Sequence, residues 1–354
     1  MSKYEDEIKK GLNKVREKTT EKEVVELNEI KLVVLSDQHR GTNDGADDFR
    51  KCKAAYHAAL GYYFEAGFAL YVLGDVEELW EDRPKPVIKT YQDTLELEGK
   101  FVQEGKYLRF FGNHDDEWQY QRRVDKYLKK YIATGNSKAM VKEGHTLEVQ
   151  SKGKKLGELF FVHGHQGTSE SDKFSWLSRL FVRYIWRPFQ RLTGISATTP
   201  AKNFNLRLKH ETAMHGWAKE QKGLILISGH THHPVFTSES HESFLQREID
   251  NLRIKLKSSK AAKDKQELQD QLKVLVSRLN WVLAKSNGVR LEIPQNQKPC
   301  YFNTGCCSFP DGDITGIEIE DGSIRLVRWP DDQGNPQKKI LREDSLADVF
   351  KKCQ

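Results

Sequence analysis

The sequence predicts an α/β fold built on parallel strands. Two observations carry that expectation. Five short apolar runs, 30–35, 68–73, 107–111, 159–162 and 224–227, have the length and the β-branched or aromatic character of buried strands. A helical stretch around Phe49–Gly67 separates the first two, and strand–helix–strand alternation implies a parallel sheet. A third observation gives the fold a direction, because every run ends in residues able to hold a metal ion or a phosphate.

Taken in order, the runs end as follows. Ile30–Leu35 leads into Ser36-Asp37-Gln38-His39, and Phe68–Leu73 into Gly74-Asp75. Tyr107–Phe111 leads into Gly112-Asn113-His114-Asp115, and Leu159–Val162 into His163-Gly164-His165. Leu224–Ile227 leads into Ser228-Gly229-His230-Thr231-His232. Ligands of open α/β sheets sit beyond the carboxyl ends of the strands, so the five clusters are expected to converge on one edge. After Pro234 the texture changes. Leu245, Ile249, Leu252 and Leu256, then Leu268, Leu272, Leu275, Leu279 and Val282, recur at helical spacing and predict an inserted helical hairpin over 241–285. Strand-like segments follow at 291–293, 300–303, 314–320 and 323–329, with Asp311-Gly312-Asp313 and Asp321-Gly322 as turns.

The chain has 354 residues, 37% hydrophobic and 31% charged, enough to bury a core. Residues 1–28 are charged, with scattered apolar positions, and read as a solvent-facing helix and a linker. The remainder, 29–354, reads as one domain, with 166–222 as a helical lid. No run of about 18 apolar residues predicts a membrane-spanning helix. The start lacks the apolar stretch of a secretory signal. Five cysteines without a C-x-x-C spacing argue against a disulfide framework and against a thiolate zinc site. A reduced, cytoplasmic setting is expected.

The strand-end side chains Asp37, His39, Asp75, Asn113, His114, His163, His230 and His232 offer carboxylate, imidazole and amide oxygen, but no thiolate. Such donors suit Mn2+, Fe or Zn2+. They are too many for one ion and suggest two ions sharing a carboxylate, an arrangement that clamps a phosphate and activates water for in-line attack.

The blocks Asp37-x-His39, Gly74-Asp75, Gly112-Asn113-His114-Asp115, His163 and Gly229-His230-Thr231-His232 resemble, in order, the signature of the calcineurin-like metallophosphoesterases. The resemblance implies a four-layer α-β-β-α sandwich. It implies that Asp37, His39 and His232 hold one divalent ion, most simply Mn2+, and that Asn113, His163 and His230 hold a second. Asp75 would bridge them. His114 would contact the phosphate and protonate the leaving group, with Asp115 orienting it. Gly74-Asp75-Val76-Glu77-Glu78-Leu79-Trp80 is similar to the Gly-Asp-x-x-Glu-x-Trp pattern of the UDP-2,3-diacylglucosamine pyrophosphohydrolases. The chain departs from that subgroup in having Asn113-His114 for Asn-Arg and His163-Gly164-His165 for His-Gly-Asp. A phosphoester or pyrophosphate in a lipid-linked or nucleotide-sugar substrate is the expected target, with a nuclease or nucleotide phosphodiesterase, its basic lid holding nucleic acid, as the alternative.

Net charge is +6, yet Lys173–His210 holds eight basic residues and no acidic one, which leaves the rest at −2. Arg179, Arg183, Arg187 and Arg191 recur every four residues among Trp176, Phe181, Tyr184, Trp186 and Phe189. An Arg row beside aromatic residues suits substrate binding by a phosphorylated amphiphile, or contact with an anionic membrane at its inner face. Trp80 is expected at the pocket mouth, and the hairpin is a candidate arm for homo-oligomerisation.

Overall fold

The computed structural model describes residues 2–133, 140–167, 204–258, 262–285, 297–331 and 334–354. The elements run, in order, α1 (Lys3–Lys18), β1 (Lys22–Glu26), β2 (Leu32–Leu35), α2 (Phe49–Glu65), β3 (Ala69–Leu73), α3 (Pro84–Thr90), α4 (Gln92–Gln103), β4 (Tyr107–Phe110), α5 (Gln121–Tyr127), α6 (Lys129–Ile132), β5 (Val141–Lys142), β6 (Gly144–Ser151) and β7 (Lys154–Val162). They continue with α7 (Phe204–Glu220), β8 (Leu224–Ser228), β9 (Val235–Phe236), β10 (Glu239–Ser240), α8 (His241–Ser258), α9 (Ala262–Lys285), β11 (Tyr301–Asn303), β12 (Ile314–Glu320), β13 (Ser323–Trp329), β14 (Lys339–Ser345) and α10 (Leu346–Lys352).

The strands form two mixed sheets rather than one. One has the order β14-β13-β12-β2-β3-β4-β5 and the other β1-β6-β7-β8-β11-β9-β10. Within them β2, β3, β4 and β5 run parallel, as do β7, β8 and β11. The predicted convergence therefore occurs where the carboxyl ends of two packed sheets meet, not along the edge of one.

Period-two alternation assigns the layers. On β2, Leu32 and Val34 join the main core, while Val33 and Leu35 pack with Phe49, Tyr56 and Tyr63 of α2. On β7, Phe161 lies 5.2 Å from the Tyr71 ring of β3 in the other sheet, while its neighbour Phe160 lies 5.7 Å from Trp217 of α7. Helix, sheet, sheet and helix thus stack in four layers, as the sequence led us to expect.

Two sequence expectations are corrected. Helix α1 is not a solvent-facing appendage. Ser2 and Glu5 close its start as a capping box. Ile8, Leu12 and Val15 are buried in the main core. Asn13 accepts a hydrogen bond from the Trp217 indole at 2.7 Å. The adjoining "linker" contains β1, which pairs in parallel with β6 at the sheet edge. The apolar spacing Ile8, Leu12, Val15 is one helical stripe, and its charged neighbours obscured it. The second correction concerns 204–220, the last part of the expected lid. Ala213, Met214, Trp217 and Ala218 bury it in the main core as an outer-layer helix. Arg179, Arg183, Arg187 and Arg191 lie outside the described residues, as does the strand-like segment 291–293.

The inserted hairpin is present as α8 and α9, held together by Leu245, Ile249, Leu279 and Val282. The five cysteines are buried free thiols. Among the described residues no helix is long and apolar enough to cross a membrane.

Candidate metal centre

Glycine spacing brings the ligand-bearing loops within reach of one another. A Cβ on Gly112 would lie 2.1 Å from Asp75 Oδ1, and one on Gly229 would lie 2.4 Å from Asp37 Oδ2. Only glycine permits such approaches, which is the physical reason it precedes Asn113-His114 and His230-Thr231-His232. The candidate ligands themselves carry the strain. Asp37, His39, Asp75, His230 and His232 have φ of 54°, 50°, 49°, 71° and 55°, a left-handed backbone that non-glycine residues rarely adopt. Strain of this kind gathers at functional sites, where the surroundings over-determine it.

Three groups of donors result, each with its atoms within 4.8 Å of one another: Asp37, His39 and His232; Asp75, His163 and His230; and His39, Asp75 and His114. Asp75 is common to two of them. Its Oδ1 accepts from the His114 amide at 2.8 Å, and its Oδ2 faces His163 Nε2 at 3.1 Å. His163 donates Nδ1–H to the Leu73 carbonyl at 2.8 Å, which turns Nε2 inward. His232 Nε2 is 3.3 Å from Asp37 Oδ1 and 3.0 Å from His39 Nε2. Asn113, also expected here, is buried, and its carbonyl accepts from the Trp80 indole at 2.6 Å.

The electrostatics follow from burial and crowding. Burial alone would raise Asp75, but His163, His114 and His39 hold it well below the ordinary carboxylate value. Burial would lower His163, and Asp75 and Asp37 overcome it, bringing His163 to about 9. The donor set fits divalent cations. Buried and half-buried carboxylate oxygens and imidazole nitrogens converge there, within 4.8 Å of one another in each group, with no thiolate among them.

His114 is held differently from expectation. Asp115 does not orient its ring. The Asp115 oxygens accept instead from the Val76 amide at 2.9 Å and the Gly112 amide at 2.6 Å, bracing the two loops against each other. Burial, Asp75 and Glu77 raise the Asp115 carboxyl to about 7. The ring partner of His114 is Glu78, whose carboxylate lies 2.8 Å from His114 Nδ1 and 2.8 Å from His39 Nδ1. Burial would raise Glu78, but His114 and His39 bring it down to about 2. Trp80 stacks on the ring face of His114. The sequence offered a signal for Glu78, since it is the acidic residue of the Gly74-Asp75 block. It offered none for His210 and Glu211, two polar residues of α7 that reach the ligand loops.

A two-sheet sandwich with clustered carboxylates and imidazoles at its strand ends is an α/β fold with a candidate metal-binding site. The calcineurin-like phosphoesterase family model matches residues 30–234, which include every candidate ligand, and the chain belongs to that family. The family implies a metal-dependent phosphoesterase. Comparison with curated proteins finds no match.

Proposed function

We propose that the chain hydrolyses a phosphoester or pyrophosphate bond with two divalent cations, Mn2+ in the first place, with Fe or Zn2+ also suited to the donors. The observation that carries this reading is the convergence of the three donor groups through the shared Asp75 and His39. Asp37, His39 and His232 would hold one cation, and Asn113, His163 and His230 the other, with Asp75 common to both. Cations bound there would supply positive charge for the phosphoryl oxygens and activate water. The chain's own groups do the rest. Glu78 engages His114 Nδ1, so Nε2 is the atom that can pass a proton to the leaving oxygen. Trp80 stacks on the ring face and helps fix its orientation.

The proposed substrate class is a lipid-linked or nucleotide-sugar phosphoester. The Gly74–Trp80 resemblance to the UDP-2,3-diacylglucosamine pyrophosphohydrolases supports it. The Arg179, Arg183, Arg187 and Arg191 row is proposed, on sequence, to grip such a substrate at an anionic membrane face. The 241–285 hairpin is proposed as a self-association arm.

The test is hydrolysis of bis(p-nitrophenyl) phosphate with Mn2+. Activity is expected to vanish on chelation, to return with metal, and to be lost in D75A and H114A. Chelator-insensitive activity would defeat the reading. A panel of UDP-diacylglucosamine, a CDP-lipid, cyclic nucleotides and single-stranded DNA then fixes the class. Preference for DNA would transfer the site to a nuclease.

A further inference from the structure

Two adjacent residues of α7, His210 and Glu211, lie outside the proposed ligand set, yet each reaches a ligand-bearing loop. His210 Nε2 is 2.7 Å from the Gly164 carbonyl. A carbonyl only accepts, so Nε2 carries the proton, and Nδ1 accepts from the Tyr4 hydroxyl at 2.8 Å. Gly164 joins His163 to His165, so His210 grips the loop of one candidate ligand. Glu211 Oε1 accepts from Thr231 Oγ1 at 3.0 Å and from His233 Nδ1 at 3.1 Å. Those two partners flank His232, so one carboxylate oxygen grips the other loop from both sides.

The setting is rigid. His210, Glu211, Thr231 and His233 are all buried. Their helix is seated in the main core by Ala213, Met214 and Trp217. The loop they hold needs holding, because His230 and His232 both have positive φ. A non-glycine residue there costs about 1–3 kcal/mol and persists only where surrounding contacts enforce it.

We infer that His210 and Glu211 are positioning residues that set the His163 and His230–His232 loops in their metal-binding geometry from a single helix. The inference rests on the metal-site reading proposed above. Groups behind metal ligands that orient them typically contribute about 10–100-fold in metal affinity.

The experiment is calorimetric titration of Mn2+ into the chelator-stripped full chain, comparing wild type, E211A, E211Q and H210A. The metal-free melting temperature of each is the control for folding. Both Glu211 bonds run to one oxygen, which glutamine also offers. E211Q is therefore expected to bind Mn2+ within about threefold of wild type, and E211A and H210A about 10–100-fold more weakly. E211A binding like wild type overturns the inference, as does E211Q binding as weakly as E211A. Should E211A not fold, T231V removes only the hydroxyl that donates to Glu211. It is expected to weaken binding by about three- to tenfold, and unchanged affinity overturns the inference. A wild-type chain that binds neither Mn2+, Zn2+ nor Fe2+ defeats the metal-site reading itself, and the inference with it.

Discussion

The indole of Trp80 stacks on the imidazole of His114, with ring centroids 4.8 Å apart and planes 20° from parallel. Its N–H is tied to the carbonyl of Asn113, the residue before, so ring and backbone are fixed together. Glu78 engages the edge of the same ring at Nδ1 and holds His39 at once. W80F keeps an aromatic face but loses the tether, and W80A loses both. We expect kcat on bis(p-nitrophenyl) phosphate to fall about threefold and about tenfold respectively, since an aromatic stack contributes about 0.5–1.5 kcal/mol. E78Q should cost more, about 10–100-fold, because it loosens a proposed ligand as well as the proposed acid. Steady-state kinetics checks the ranking, and W80A slower than E78Q would contradict it.

Gly229 and Gly216 make a controlled pair. A methyl at Gly229 would lie 2.4 Å from both Asp37 Oδ2 and Ser36 Oγ, whereas one at Gly216 meets nothing within 4 Å. G229A should destabilise by about 1–3 kcal/mol through overpacking and weaken Mn2+ binding. G216A, in the middle of α7, should stabilise by roughly 0.5–1 kcal/mol through helix propensity. Urea denaturation with and without Mn2+ separates the two effects.

Beneath the site, a buried charge network ties the loops together. Arg40 and Arg109 both pair with Glu98, Arg109 also pairs with Glu77, and Tyr56 and Tyr107 donate to Glu98 at 3.0 and 2.9 Å. Burial would raise Glu98, but Arg40 and Arg109 hold it below its ordinary value. E98Q leaves two buried guanidiniums short of a charge and should cost about 3–5 kcal/mol at pH 7. The sign of the pH effect follows from the lowered pKa. The contribution is complete above the unfolded glutamate value, about 4.3, and is lost as pH falls through the lower folded value. The difference between wild type and E98Q should therefore shrink on acidification, as read by denaturant melts at pH 7 and pH 3.5.

His241, at the start of the hairpin, also costs stability on acidification, but in a higher pH window. Burial, and then Arg342 and Arg278, push it down to about 3. Folded protein keeps it neutral, while the unfolded chain protonates it near pH 6.5. Stability is then unaffected above that value and falls as pH drops toward the folded pKa, by roughly 2 kcal/mol at pH 5. H241Q should reduce the loss between pH 7 and pH 5 by about that amount. Parallel denaturation curves at the two values would contradict it.

The sequence by itself determined the strand runs, the family and the polar clusters at the strand ends. Those features are local. A short β-branched run followed by Gly-Asp or Gly-His is legible residue by residue, because the glycine is demanded by backbone approach and the donors by their chemistry. The hairpin was legible for the same reason, through the spacing of Leu245, Ile249, Leu279 and Val282. The resemblance already implied two sheets, but only the tertiary structure decided how the five runs divide between them, since strand pairing is a long-range choice that apolar runs do not encode. It also decided that α1 and α7 cover one of those sheets, although charged flanks had made α1 look solvent-facing and a basic stretch had made 204–220 look like a lid. It decided the partner of His114 as well. Asp115 is the sequence neighbour, but its oxygens are taken by the Val76 and Gly112 amides, and Glu78, 36 residues away, is the carboxylate within reach of the ring. Adjacency in sequence cannot say which way a side chain turns once buried backbone donors compete for it.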